Sequence, residues 1–121
     1  MTEPDQAFVP GRSLVVRARD DQRGTVLEIA GEVDLANAEQ FEAALSRALR
    51  DEPRILVVDL SQVAFLGSVG LSHLVRASQV AAPGVLRVVA VSKPRRTLAI
   101  TALDQVLRVS ATVDEALGIN A

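Results

Sequence analysis

The chain has 121 residues, 49% of them hydrophobic and 23% charged, and carries a formal net charge of −2. That length favours one domain, and the balance of apolar and charged residues is typical of a globular chain rather than a disordered one. The sequence contains no cysteine, which excludes disulfides, thiolate metal sites and a cysteine nucleophile. The slightly acidic charge and the absence of tryptophan and tyrosine argue against direct nucleic-acid binding.

The start of the sequence predicts neither a secretory signal nor a membrane anchor. Residues 1–11 contain acids and prolines instead of a cationic start and an apolar block, and no run approaches the ~20 apolar residues of a membrane span. We therefore expect a flexible tail at residues 1–11, a single domain at residues 12–121, and a cytoplasmic protein without membrane contact.

Two strand patterns come first along the chain. Apolar and polar residues alternate over residues 14–19 and again over residues 26–30, which predicts an antiparallel hairpin that Gly31 ends. Further on, nearly continuous apolar runs are typical of strands covered on both faces. The further runs predicted as strands are residues 55–60, 85–91 and 107–109.

Helical spacing of apolar residues alternates with these strands. The segments concerned are residues 34–50, 68–81 and 94–103, and a short one after Thr112. Asp34 or Asn37 is the candidate cap of the first helix, and Thr112 with Glu115 forms a capping box for the last. The order β-β-α-β-α-β-α-β-α predicts an α/β fold, with a mixed, mostly parallel sheet of four to five strands and about four helices packed against it.

Residues 55–71 are the most informative stretch. An apolar run enters a short polar turn, and Ser68 then stands where the second helix begins. A hydroxyl at that point lies beside unpaired backbone N–H groups at the positive end of a helix dipole, which suits a phosphate. A plain N-cap role explains the same serine, and the two roles are compatible.

Other chemistry is not indicated. His73 is the only histidine, and without cysteine no closed set of metal ligands is predicted. His73 follows Ser68 by more than one helical turn, so a nucleophile–base pair is not expected. The residues around the serine, Gly67-Ser68-Val69-Gly70, lack the first glycine of a nucleophile elbow. We predict no catalytic residue, no metal and no cofactor.

Residues 59–71, which read DLSQVAFLGSVGL, resemble the signature of STAS domains of the bacterial anti-sigma factor antagonist type. Residues 31–34 are similar to that family's Gly-Glu-hydrophobic-Asp segment, and the order of elements matches over nearly the whole chain. The family commonly has an aspartate before the serine. Gly67 stands there in this chain, as in an actinobacterial, mycobacterial-like subset that carries FLGSVGL.

The resemblance implies a STAS fold and a binding module rather than an enzyme. The chain would bind an anti-sigma factor that is also a serine kinase with an ATP-binding domain, and would thereby free a sigma factor to activate transcription. The kinase would phosphorylate Ser68 to end the interaction, and a phosphatase would restore it. ATP would belong to the partner, and we expect a monomer when the protein is free.

We expect the partner-binding surface to include the turn around Ser68 and one side of the second helix. Opposite the predicted core stripe of Leu71, Leu74, Val75 and Ser78 lies a second row at helical spacing. The expected partner-binding residues, including that row, are Asp34, Gly67, Ser68, Val69, Gly70, His73, Arg76 and Val80.

Two alternatives stay open at the level of sequence. The same fold serves as a STAS subunit of lipid-transport or other membrane-associated complexes, and fold alone does not settle function. An enzyme that acts through Ser68 would hydrolyse a generic ester, and the Ser68→Ala variant would lose that activity.

Overall fold

Five strands form one sheet in the spatial order β1-β2-β3-β4-β5. The computed structural model describes residues 14–118, so the predicted tail at residues 1–11 lies outside the described residues. The strands are β1 (Leu14–Asp21), β2 (Gly24–Val33), β3 (Leu56–Leu66), β4 (Leu86–Val89) and β5 (Arg108–Ser110). β1 pairs with β2 in antiparallel fashion, and the other neighbours are parallel. The predicted α/β class with a mixed, mostly parallel sheet is confirmed.

Helices connect the parallel strands. The connecting helices are α1 (Ala38–Arg50), α2 (Ser68–Val80) and α3 (Ser92–Ile100), and a 3₁₀ turn spans Leu103–Gln105. The helix α4 (Val113–Gly118) follows β5. Three successive right-handed crossovers advance in one direction across the sheet, which places α1, α2 and α3 on the same face. α1 and α2 each connect neighbouring parallel strands, so they run in the same direction and pack against each other.

The two faces of the sheet carry cores of different size. The larger core lies under α1, α2 and α3, where Phe41, Leu74 and Leu98 are fully buried against the strands. The smaller core lies under α4 and consists of Val26, Val57, Val89, Ala116 and Leu117. The strand β3 is the middle strand of the sheet and contributes buried side chains to both cores.

β3 is longer than the sequence predicts. The polar stretch after Leu60 was expected to be a turn, but the strand continues to Leu66 because its pairing with β2 also continues to that residue. Two register shifts accommodate the extension. One of them follows Gly31, which lies inside β2 with a φ of 107° and does not end the strand as predicted.

The helix starts differ from the predictions in detail. α1 begins at Ala38 with Asn37 at the N-cap position, but Asn37 forms no side-chain hydrogen bond to the first turn. At α4 the predicted capping interaction is present, since the Thr112 hydroxyl accepts from the Glu115 N–H (3.1 Å). The Glu115 carboxylate accepts from the N–H of Ala111 (3.0 Å), one residue before the expected partner.

Candidate functional site

The candidate site is the turn between β3 and α2, residues 66–70, which we call the Ser68 turn. Its backbone is held on both sides. The Gly67 N–H donates to the carbonyl of Val33 at the end of β2 (2.8 Å), and the Gly67 carbonyl accepts from the N–H of Leu71 (3.1 Å). The end of β2 therefore lies beside this turn.

Ser68 is the first residue of α2, and it is exposed. Gly67 holds the N-cap position instead, so the plain N-cap interpretation of Ser68 is wrong. No hydrogen bond engages the Ser68 hydroxyl within residues 14–118, and no side chain caps the start of α2. The first backbone N–H groups of a helix have no acceptor inside it. The hydroxyl therefore stands next to these donors at the positive end of α2.

The backbone at Gly67 does not require glycine. Its φ of −81° and ψ of 174° are open to any residue. A Cβ atom there would lie 3.2 Å from Cε2 of Phe65 and 3.3 Å from the Val33 carbonyl oxygen. The Phe65 ring is half exposed and can shift by the few tenths of an ångström needed. Position 67 can therefore hold a side chain.

Gly70, by contrast, is required by packing. It is buried in the first turn of α2, where a Cβ atom would lie 2.7 Å from Cγ1 of Val33 and 2.9 Å from Cδ1 of Leu66. Both neighbours are themselves buried and have little room to move. The absence of a side chain at Gly70 therefore lets the start of α2 pack closely against the sheet, and this packing fixes the position of the Ser68 turn.

A short hydrogen-bond network shapes the neighbouring loop after β2. The Asp34 carboxylate accepts from the N–H of Ala36 (3.0 Å), and the Asn37 side-chain oxygen accepts from the N–H of Asp34 (2.9 Å). The buried Asn37 also donates its amide to the carbonyl of Glu32 (2.8 Å). Asp34 is thus a half-buried residue of a rigid loop, and Asn37 is an organising residue that the sequence identified only as a cap candidate.

Two large apolar side chains are exposed at this edge of the sheet. Leu35 is 81% exposed in the loop that follows Asp34, and Phe65 is 50% exposed just before the Ser68 turn. Apolar side chains grouped around an exposed polar one are typical of a protein contact surface. Neither residue was among the expected partner-binding residues. For Leu35 the available signal was an apolar residue between turn residues. Twofold alternation places Phe65 on the same face as buried Val63, so it gives no signal for the exposure of Phe65.

Comparisons with known proteins were made for the whole chain. The family model described as the STAS domain matches residues 14–116. The chain belongs to the STAS domain family. The chain is also 40% identical over 107 residues to the anti-sigma-F factor antagonist RsfB of two Mycobacterium tuberculosis strains, covering 87% of this chain and 88% of that protein.

Solved structures give the same result for the fold of this STAS domain. An anti-sigma factor antagonist from Mycobacterium paratuberculosis superposes with a TM-score of 0.83 at 33% identity, covering 97% of this chain and 96% of that one. A putative anti-sigma factor antagonist from Thermotoga maritima superposes with a TM-score of 0.68 at 20% identity, covering 84% and 91%, and supports the fold alone.

The predicted outer row of α2 lies elsewhere on the helix than expected. The buried side of α2 consists of Gly70, Leu71, Leu74 and Ala77, so the predicted core stripe was centred too far round the helix. Val69 and His73 are consequently half-buried. His73, Arg76 and Val80 line a groove between α2 and α1, on the flank of the helix and not opposite the core. The face directly opposite the core carries exposed Ser68 and Ser72.

The described residues form neither a metal-binding cluster nor a membrane-spanning helix. Within residues 14–118 no group of three or more His, Asp or Glu side chains is arranged to hold a metal ion. Among the described helices, none combines the length and apolar character needed to cross a bilayer.

Perturbed acid–base groups of the described residues lie away from the Ser68 turn. At the β1–β2 hairpin, hydrogen bonds from Arg23 lower the pKa of the Asp21 carboxyl. Under α4, burial lowers the pKa of Arg87, and the charge of Arg108 adds to that effect. None of these groups belongs to the Ser68 turn, which instead presents the exposed Ser68 hydroxyl and the backbone N–H groups at the start of α2.

Proposed function

We propose that this STAS domain is an anti-sigma factor antagonist, which binds an anti-sigma factor and so frees a sigma factor to activate transcription. The observation that carries the proposal is the exposed Ser68 at the start of α2, in a chain 40% identical over most of its length to anti-sigma-F factor antagonists. The names of these relatives favour this role over that of a lipid-transport subunit. The proposal places the protein in the cytoplasm, where transcription takes place.

The proposed contact surface is centred on the Ser68 turn. Its polar part consists of Ser68 and the loop of Asp34, and its apolar part consists of Leu35 and Phe65. Gly67, Val69 and Gly70 shape the turn, and Arg76 continues the surface along α2, since it borders both the Ser68 face and the α1–α2 groove. His73 and Val80 extend the surface toward the far end of the helix.

We further propose that Ser68 is the phosphorylation site that switches the interaction. Its hydroxyl is exposed, and a phosphate there would meet the open N–H groups at the start of α2. Phosphorylation adds about −1.5 to −2 charges, which a helix N-terminus tolerates. The modified helix would stay folded, so release must come from repulsion or steric conflict on the partner's side.

In this proposal the anti-sigma factor is itself the serine kinase, and its own domain holds the ATP. A phosphatase removes the phosphate and returns the STAS domain to its binding form. The STAS domain is then a substrate and a binding module, and it needs no catalytic residue, metal or cofactor of its own. We expect it to be a monomer when it is free.

Binding measurements with Ser68 variants test the proposal. The candidate anti-sigma kinases of the source genome are purified and titrated with the wild type by isothermal calorimetry. We expect one of them to bind the wild type, and the Ser68→Glu variant to bind at least about a hundredfold more weakly, because a charge is introduced into a desolvated contact. Ser68→Ala keeps the binding but accepts no phosphate from the kinase and ATP.

Ser72 provides the matched control, because it is an exposed serine one turn further along the same face of α2. Ser72→Glu is expected to retain binding, and mass spectrometry after incubation with kinase and ATP is expected to locate the phosphate at Ser68. Failure of the wild type to bind any candidate would refute the antagonist role. Equal binding by the Ser68→Glu and wild-type proteins would refute the switch alone.

A further inference from the structure

A concave groove separates α1 from α2, and it is distinct from the Ser68 turn. It has a volume of about 400 Å³, within the ~300–1,000 Å³ range of small-molecule sites. Its floor is apolar and includes Leu45, Leu49 and Ala77. A second concavity of about 350 Å³ shares Leu49 and Val80 with the first, continues over Pro53 and Val85, and is also lined by Glu52. Together they form one elongated apolar channel, which we call the α1–α2 groove.

Two cations line this groove from opposite walls. Arg50 lies near the end of α1, and Arg76 lies on α2. Both are exposed, and neither forms an ion pair within residues 14–118. The acid in the same concavity, Glu42, accepts a hydrogen bond from the hydroxyl of Ser46 (2.9 Å) and lies two helical turns before Arg50. The lining of the whole groove therefore holds two cations, Arg50 and Arg76, and two acids, Glu42 and Glu52. The two guanidinium groups can donate charge-assisted hydrogen bonds to an anion.

Part of the apolar lining of the groove is accessible to solvent. Val80 is 73% exposed at the point where the two concavities meet, and Leu49 beside it is only partly buried. An apolar channel that begins between two unpaired guanidinium groups matches a molecule with an anionic head and an aliphatic tail. The groove is concave and lies between two helices, so it suits a single free molecule better than a flat membrane surface.

We propose that the α1–α2 groove binds a free single-chain carboxylate amphiphile of the fatty-acid type. The carboxylate contacts Arg50 and Arg76, and the chain lies over Leu49 and Val80 toward Val85. This site shares Arg76 and Val80 with the proposed contact surface, but it does not include Ser68. It therefore gives the STAS domain a second input, separate from phosphorylation, on the same helix.

The test uses the full chain and monomeric dodecanoate, followed by amide chemical shifts in two-dimensional NMR. We expect saturable shifts in α1 and α2 around the groove. The double variant Arg50→Gln/Arg76→Gln is expected to weaken binding at least about tenfold, because charge-assisted hydrogen bonds are lost. Two exposed arginines outside the groove, Arg47 and Arg96, provide the matched control variant Arg47→Gln/Arg96→Gln.

Two further ligands separate head from tail. Acetate carries the carboxylate without the chain, and dodecyltrimethylammonium carries the chain with the opposite charge, so neither is expected to shift the groove amides at the dodecanoate concentration. Ser68→Glu is expected to bind dodecanoate like the wild type. The proposal is overturned by the absence of saturable shifts, by equal weakening in the two arginine variants, or by binding only to vesicles of anionic phospholipid.

Discussion

The start of α2 and the end of α4 are two helix termini of the same domain. They differ in whether a side chain forms hydrogen bonds to their terminal backbone groups. At the start of α2 the N-cap residue is Gly67, and no side chain accepts from the first N–H groups. At the end of α4 the Nη1 of Arg87 donates to the Ala116 carbonyl (2.8 Å), while its Nε donates to the Gly84 carbonyl (3.0 Å). Arg87 is only 4% exposed. One terminus is left open to solvent, and the other is closed by a buried cation.

The difference indicates where stability and recognition reside. A buried guanidinium that donates to carbonyls ties α4 to β4, so its removal should affect the whole fold. Open donors beside an exposed hydroxyl contribute little to folding, but they leave room for an anion. We expect variants at the closed terminus to change stability with little effect on partner affinity. Variants on the surface of the open terminus should do the reverse.

The largest expected effect is a loss of stability when the hydrogen bonds of Arg87 to the end of α4 are removed. Arg87→Met keeps the apolar stem but removes donors to two carbonyls, which should lower the free energy of unfolding by about 3 kcal/mol. Chemical denaturation measures the loss, and hydrogen exchange should show faster exchange in α4. Its neighbour in the strand register, Arg108, is the control, because Arg108→Met removes a nearby like charge and should change stability by less than about 1 kcal/mol. Equal losses in the two variants would contradict the comparison.

The second effect tests the packing beneath the open terminus. Gly70→Ala forces a methyl group against Val33 and Leu66, and we expect a loss of about 2 kcal/mol in the free energy of unfolding. Helix propensity alone predicts the opposite sign, a gain of about 0.5–1 kcal/mol. Gly118→Ala in α4 is the matched control, since a Cβ atom there would meet nothing within 4 Å. A stabilised Gly70→Ala protein would show that the start of α2 is not fixed by this contact.

The third expected effect is a change in partner affinity without a change in stability. Leu35→Ala removes an exposed apolar side chain beside the Ser68 turn, and partner affinity should fall about tenfold, equivalent to about 1.4 kcal/mol. Ile100 is the control, because it is exposed to a similar extent, 77% against 81%, and lies at the end of α3 that points away from this edge. Calorimetric titration with the same anti-sigma factor compares the two variants. Similar affinities for the two would remove Leu35 from the contact surface.

Much of the fold could be predicted from the sequence because its signals are local. Twofold alternation and continuous apolar runs, interrupted by helical spacing, gave the order of the nine major elements in residues 14–118, and the last spacing change before Leu71 identified Ser68 at a helix start. The extension of β3 was missed because polar residues after Leu60 pair with β2 only through two register shifts. Register shifts depend on the neighbouring strand, which lies far away in the sequence.

The candidate site shows the same limit. The sequence located the residues that form the Ser68 turn, but not the environment of the row that includes His73 and Arg76. Whether a helical row faces solvent or a neighbour depends on where α1 packs, and spacing along α2 alone does not contain that information. Gly67 and Gly70 likewise look equivalent in sequence. Only the positions of Val33 and Leu66 distinguish the one that tolerates a side chain from the one that does not.

The smallest expected effect comes from a variant that adds a side-chain cap at the start of α2. Gly67→Asp introduces a side chain that can accept from the N–H groups of Val69 or Gly70, and it should stabilise the protein by about 0.5 kcal/mol through capping and the helix dipole. The new carboxylate then accepts hydrogen bonds from the same backbone N–H groups that would stabilise a negative charge on residue 68. Ser68→Glu should therefore be less favourable in the Gly67→Asp background than in the wild type, by about 0.5–1 kcal/mol. Denaturation of both single variants and the double variant measures this coupling.

Gly67→Asn separates the two causes, because it supplies a capping oxygen without a charge. Combined with Ser68→Glu, it should show less than half of the coupling found for aspartate if repulsion between carboxylates dominates. Full coupling with asparagine would instead assign the effect to competition for the N–H groups. Either outcome would mean that a charge on residue 68 interacts with the start of α2 in the wild type, through the backbone N–H groups or through the helix dipole. Independence of positions 67 and 68 in both cycles would mean that the open terminus does not interact with a charge at residue 68, and the physical basis of the proposed switch would be lost.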